Sequence, residues 1–169
     1  MNDINIIQYL PLTHPRATLR LVKSLSAAGV MTILDLEDSA QDPFSKKLTE
    51  DLKINARNNF FEIISSNNWD PRSFGVPLYI RVNAIDTEFF KDDIRMLIDA
   101  VRSGFPISGI FLPKVESYSH IDEIFSLLRG LNEKSKNTIE IIPMIETKSG
   151  MSDLGNILDM DKVDQKFSK

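Results

Sequence analysis

An α/β fold with a parallel sheet, built from about five strand-helix units, is what this sequence predicts. Short apolar runs rich in Ile, Leu and Val recur at residues 4–10, 32–36, 78–82, 109–112 and 139–145. None of them alternates cleanly with polar residues, which is the mark of strands buried on both faces, as in parallel sheets. Stretches with helical spacing lie between the runs. The resulting strict β-α alternation requires right-handed crossovers between parallel neighbours.

The elements follow in order. Residues 15–28 place Leu19, Val22 and Leu25 at helical spacing after the first run, with Gly29 as a stop. After the second run, residues 46–65 carry Leu48, Leu52, Ala56, Phe60 and Ile63 on one stripe. Residues 65–77 are polar and contain Trp69, Pro71, Gly75 and Pro77, a composition that reads as a connecting loop inside one domain. The third run leads to residues 88–103, where Phe89, Ile94, Leu97 and Val101 share a face and Gly104 follows. The fourth leads to residues 118–131, with Ile121, Ile124, Phe125 and Leu128 inward. A short last helix is expected over residues 151–158. Residues 1–158 therefore make one domain, and residues 159–169 form a polar, charged tail that frays.

Composition narrows the function classes. The chain has 169 residues, 42% hydrophobic and 26% charged, with a formal net charge of −4, and so suits one domain with a real core. An acidic balance without a basic patch argues against nucleic acid as a partner. There is no cysteine, which excludes disulfides, thiolate metal sites and cysteine nucleophiles. No apolar run reaches the roughly 20 residues of a membrane helix, and the N-terminus lacks the pattern of a signal peptide. A cytoplasmic protein without a membrane partner is the expectation.

In parallel α/β folds, functional groups gather where strands end at their C-termini. Here the second run leads into Asp35, Glu37 and Asp38, and the third ends at Arg81 and Asn83. The fourth ends at Pro113, Lys114 and Glu116, and the fifth at Glu146 and Thr147. Carboxylates bind a hard divalent cation such as Mg²⁺, which takes one or two of them plus water and substrate. An arginine beside them can hold a substrate carboxylate in a bidentate fork. Metal and arginine together could stabilise a developing enolate, which suits making or breaking a C–C bond next to a carbonyl. Arg81 could equally pair with Glu116 or with an acid of the second strand, and the two roles are compatible. Lys114 and Glu116 read first as anchors of the strand-end loop, and His14 and His120 as surface or turn residues.

Four strand-end motifs occur in order: Ile33-Leu34-Asp35-Leu36-Glu37-Asp38-Ser39, Ile80-Arg81-Val82-Asn83, Leu112-Pro113-Lys114-Val115-Glu116-Ser117 and Met144-Ile145-Glu146-Thr147. With them, Lys53-Ile54-Asn55-Ala56-Arg57 is similar to a K-x-x-A-R helix motif. Together they resemble the citrate lyase β-subunit/HpcH–HpaI aldolase family, which includes malyl-CoA lyase-like enzymes. The resemblance spans roughly residues 6–158.

That resemblance implies a partial (β/α)8 barrel and a Mg²⁺-dependent carbon–carbon lyase acting on a carboxylate-bearing acyl-CoA or 2-keto acid through an enolate. It implies that Arg81 binds the substrate carboxylate or carbonyl, that Glu146 is a Mg²⁺ ligand, and that Asp35, Glu37 and Asp38 line the site and orient water. The family's second metal ligand, an aspartate after strand six in a G-x-x-D-L-like motif, has no counterpart in these residues; Val163-Asp164 looks like the approach to that strand. Mg²⁺ would then be held weakly. The segment Leu10-Pro11-Leu12-Thr13-His14-Pro15 resembles a P-G-x-x-P turn without its glycine, and the basic residue expected after the second proline falls on Arg16 or Arg20. A CoA thioester is the implied substrate form. The alternative reading is a truncated, catalytically silent relative that serves as a folded fragment or half of an assembly. A barrel taking a phosphorylated sugar is disfavoured, since barrel phosphate sites come from the loops after strands seven and eight. An open barrel segment has two sheet edges, so a homo-oligomer or a complementing chain is expected to cover them.

Overall fold

A computed structural model of the chain describes residues 6–66, 69–70, 72, 74–132 and 139–159. Five strands form one sheet in the order β1-β2-β3-β4-β5: β1 (Ile7–Pro11), β2 (Met31–Asp35), β3 (Leu78–Arg81), β4 (Gly109–Leu112) and β5 (Glu140–Pro143). All neighbouring pairs are parallel. Between them run α1 (Pro15–Ala27), α2 (Lys46–Ser65), α3 (Phe90–Arg102) and α4 (Tyr118–Asn132). Two short helices, α5 (Lys148–Ser152) and α6 (Leu154–Ile157), follow β5. The expected α/β alternation is thus the architecture found, a partial (β/α) barrel. Most of the tail over residues 159–169, including Val163-Asp164, lies outside the described residues, as do Ile4 and Pro71.

Local chemistry sets the helix ends. The Ser45 hydroxyl accepts the Leu48 N–H at 3.2 Å and starts α2. Gly29 and Gly104, at φ of 75° and 82°, reverse the chain after α1 and α3 in a region that costs glycine little. The last helix departs from the apolar pattern. The Thr147 hydroxyl accepts the Gly150 N–H at 3.1 Å, so helix begins at Lys148, earlier than the apolar pattern suggests, and Asp153 divides it in two. β5 is also shorter than the apolar run, because pairing ends with β4, whose Leu112 meets Pro143.

The sheet has two unlike faces, since successive side chains point to opposite sides. Leu34, Leu36, Leu78, Ile80, Val82, Ile110 and Leu112 pack with Phe60, Phe90, Leu97, Ile124 and Leu128 of the helices into one core. The other face carries Tyr9, Tyr79 and Phe111, with Tyr9 and Tyr79 each edge-on to Phe111 at 6.4 and 5.5 Å between ring centroids. Asp35 and Arg81 share that face and are hydrogen-bonded to each other. The side chain of Ile141 packs toward the helix-side core, not onto the aromatic face. Among the described residues, β1 pairs only with β2 and β5 only with β4. No described helix is long and apolar enough to cross a membrane.

Candidate functional site

The strand register brings Asp35, the last residue of β2, directly beside Arg81, the last residue of β3. Arg81 forks onto it, Nε donating to Oδ1 at 2.8 Å and Nη2 to Oδ2 at 2.6 Å. Nη1 donates to Asp38 Oδ2 at 2.9 Å and lies 3.2 Å from Glu37 Oε2. That last contact is an ion pair without hydrogen-bond geometry, and Oε2 has no hydrogen-bond partner. The Tyr9 ring covers the guanidinium face at 4.7 Å. Asp35 is further held by the Glu37 and Ser39 N–H groups at 3.0 and 3.1 Å. Burial alone would raise the Asp35 carboxyl, but the Arg81 fork and these amides hold it below the ordinary value. Burial likewise opposes the Arg81 charge, and the three acids outweigh it.

A second, deeper network supports the loop. Lys53, on α2, donates to Leu36 O at 3.3 Å, Glu37 O at 2.9 Å and Asn83 Oδ1. Asn83 donates through Nδ2 to Asp93 Oδ2 at 2.7 Å and to Leu36 O at 3.1 Å, and Arg57 donates to Asp93 Oδ1 at 3.2 Å. Lys53 and Asp93 are both buried. Burial pushes the Lys53 ammonium below its ordinary value, with Glu37 and Asp93 pulling back, and raises the Asp93 carboxyl against its donors. The K-x-x-A-R spacing thus puts two cations on one helix face, one under the acid loop and one against Asp93.

The rim continues across β4 to β5 through one residue. Lys114 Nζ donates to Glu37 Oε1 at 2.7 Å, while its backbone N–H donates to Glu146 Oε2 at 3.0 Å. Its ammonium is held above the ordinary value first by the Glu37 hydrogen bond. Among the described residues, Lys114 is also the non-glycine residue with positive φ, at 53°. A left-handed conformation costs an L-residue roughly 1–2 kcal/mol and persists where the surroundings over-determine it.

Asp35, Glu37, Asp38 and Arg81 therefore form one contact cluster, and Lys114 joins it to Glu146. Arg81 pairs with the acids of the second strand and not with Glu116, whose N–H lies 3.5 Å from His120 Nδ1. Arg16 and Arg20 line a separate cleft of about 270 Å³ with Lys23 and Glu62. A cleft of about 370 Å³ opens beside the acid loop, lined by Thr13, Ser39, Asn55 and Asn59 among others. The residues that sequence reasoning passed over are Tyr9 and Asp93. Asp93 had a signal, a carboxylate on the apolar stripe of α3 between Phe90 and Leu97; Tyr9 had only its place in an apolar strand.

Among the described residues no three acidic or histidine side chains converge as a metal-binding group. The guanidinium of Arg81 sits where the three acids meet, so a cation already occupies the point on which they converge. Glu146 differs: it is exposed and accepts the Lys114 N–H through one oxygen. Such a carboxylate fits a Mg²⁺ ion that keeps most of its ligands as water and substrate.

Parallel strands alternating with helices, with a charged rim at the strand C-termini, define a barrel-type scaffold whose candidate site is that rim. The family model for HpcH/HpaI aldolase/citrate lyase matches residues 7–167, and the chain belongs to that family. It is 32% identical over 110 residues to the malyl-CoA/beta-methylmalyl-CoA/citramalyl-CoA lyase of Chloroflexus aurantiacus, a match covering 63% of this chain and 30% of that protein. Among solved structures it is similar to RipC from Yersinia pestis, at 21% identity and a TM-score of 0.54 over 92% of this chain and 52% of that one. It is also similar to Haloferax volcanii malate synthase in a pyruvate/acetyl-CoA ternary complex, at 14% identity and a TM-score of 0.65 over 95% and 44% of the two chains. At such identities the solved structures speak to the fold. The chain spans about a third to a half of the length of these relatives.

Proposed function

We propose that this chain carries the strand-end machinery of a cytoplasmic Mg²⁺-dependent carbon–carbon lyase or aldolase, acting on a carboxylate-bearing acyl-CoA or 2-keto acid through an enolate. The observation that supports it most is the continuous rim from Asp35 through Arg81, Glu37 and Lys114 to Glu146, in a chain of the HpcH/HpaI family. Asp35, Glu37 and Asp38 hold the guanidinium of Arg81 in one orientation, so its charge is preorganised before substrate arrives. Arg81 stabilises negative charge growing on the substrate oxygen. Glu146 would hold Mg²⁺, which when bound supplies a Lewis acid for that same charge. The sheet edges at β1 and β5, unpaired among the described residues, are covered by a second copy or a complementing chain.

The test is release of the keto-acid fragment from malyl-CoA and citramalyl-CoA with Mg²⁺ present, for the wild type and Glu146→Gln. Mg²⁺-dependent release that Glu146→Gln abolishes is the expected result; no release, or release indifferent to both, refutes the reading. A second reading is a catalytically silent family member, supported by the engagement of the Arg81 guanidinium with Asp35 and Asp38 inside the chain. Absence of release together with a stably folded chain would select it.

A further inference from the structure

We infer that Lys53 is a positioning residue for this site: its ammonium ties the acid loop after β2 to the end of β3, and so sets where Asp35 and Glu37 meet Arg81. The inference deepens the proposed function and rests on its placing of the reaction at this rim. Lys53 lies on α2 and is 6% exposed. A lysine is almost never buried to that degree unless it is paired. None of the ion pairs among the described residues includes it. Its three N–H donors go instead to Leu36 O at 3.3 Å, Glu37 O at 2.9 Å and the Asn83 side-chain oxygen. The charge is thus spent on two loop carbonyls and one amide, directly beneath the acids that surround Arg81.

In an extended strand consecutive carbonyls point to opposite sides. Leu36 and Glu37 are consecutive, yet both carbonyls converge on one nitrogen. The chain leaves strand geometry here, with Glu37 at φ −95° and ψ −95°, and a single ammonium with several N–H groups serves both oxygens. The same turn directs the Glu37 N–H onto Asp35 Oδ1 at 3.0 Å, and its carboxylate onto Lys114 at 2.7 Å and Arg81 at 3.2 Å. Asn83 is the other anchor, two residues beyond Arg81. Its Nδ2 donates to Leu36 O and Asp93 Oδ2, and its backbone N–H donates to that same Asp93 oxygen at 2.8 Å. These donors fix the amide so that its oxygen faces Lys53. Removing the ammonium takes a donor from three oxygens at once and frees the Glu37 peptide to turn. A displacement of about 1 Å at reacting groups can cost about 100-fold in rate.

The experiment uses the full chain with Mg²⁺ and two readouts: hydrogen exchange of the Arg81 Nε–H by NMR, and release of the keto-acid fragment from malyl-CoA. One variant is Lys53→Met, which keeps the length and loses the donors. The other is Lys53→Cys, alkylated with bromoethylamine while unfolded and then refolded, which restores an ammonium at nearly the same reach. The chain has no cysteine, so the introduced thiol is the only one. Lys53→Met is expected to speed Arg81 Nε–H exchange at least about tenfold relative to the β4 amides. It is expected to lower kcat at least about tenfold with KM changed less than about threefold. The alkylated variant is expected to return both to within about threefold of the wild type. A folded Lys53→Met with wild-type Arg81 exchange overturns the inference, as does one in which the β4 amides loosen equally. On the wild type itself near pH 6, the Lys53 ammonium protons are expected to exchange at least about tenfold more slowly than those of the exposed Lys46. Equal rates overturn the inference even if neither variant folds. If the wild type releases no keto acid, the proposed function fails, and the exchange readouts alone decide whether Lys53 holds the loop.

Discussion

Replacing Arg81 with methionine keeps much of the side-chain volume and removes the cation on which three carboxylates converge. Asp35 is 2% and Glu37 5% exposed at the side chain, so neither can recover its charge partner from water. Breaking a buried pair by removing one partner costs about 3–5 kcal/mol. Two effects pull the figure toward the lower end: Asp35 keeps its two amide donors, and Glu37 keeps Lys114. Loss of the Asp38 contact adds under about 1 kcal/mol, because that side chain is 57% exposed. The expected loss is about 3–4 kcal/mol, against a net stability of roughly 5–15 kcal/mol for a typical domain. Urea unfolding near pH 7, followed by fluorescence of the single tryptophan, Trp69, measures it. Adding Asp35→Asn to Arg81→Met is expected to recover about half of the loss, since it discharges the stranded carboxylate. A loss below about 1 kcal/mol for Arg81→Met would refute the claim that the guanidinium is the electrostatic centre of this loop.

The folded Asp35 carboxyl lies below its ordinary value of 3.8, so its contribution to stability is complete above that value and is lost as pH falls through the lower folded value. Urea midpoints below about pH 4 should therefore decline more steeply for the wild type than for Asp35→Asn. Gly150→Ala is expected to cost about 2–3 kcal/mol, because an added Cβ would sit 2.2 Å from Val115 O; Gly155→Ala, with nothing within 4 Å, serves as the neutral control in thermal unfolding. Calorimetry should find Mg²⁺ affinity no tighter than about millimolar, consistent with one carboxylate ligand; micromolar affinity abolished by Glu146→Gln would mean that the chain supplies a second ligand itself. Light scattering after size exclusion is expected to give a dimer or larger species, because β1 and β5 each pair on one side only among the described residues; a stable monomer with both edges open would refute the assembly reading.

Residues 46–65 were readable as one helix, and Asp35, Arg81 and Glu146 as strand-end residues, from local signals alone. Apolar runs give strands, an apolar stripe gives α2, and strict alternation gives parallel order. The short helix after β5 was misjudged at its start, because a Thr147 hydroxyl outweighs apolar spacing there. The inner face was also unreadable: the run containing Tyr9 does not alternate cleanly with polar residues, and only the sheet shows that Tyr9, Tyr79 and Phe111 share a side.

The amino-acid order by itself determined the element types, the parallel sheet and the rim on which ionisable groups collect, because these follow from periodicity and from where strands stop. The tertiary structure decided which of those groups are spent on one another. Asp35 and Arg81 are 46 residues apart in the chain and become partners through the β2–β3 register. Lys114 and Glu37 are separated by 77 residues and meet because β2 and β4 flank β3 in the sheet. Such pairings depend on distances of a few ångströms between distant segments, and only the packed sheet sets those distances.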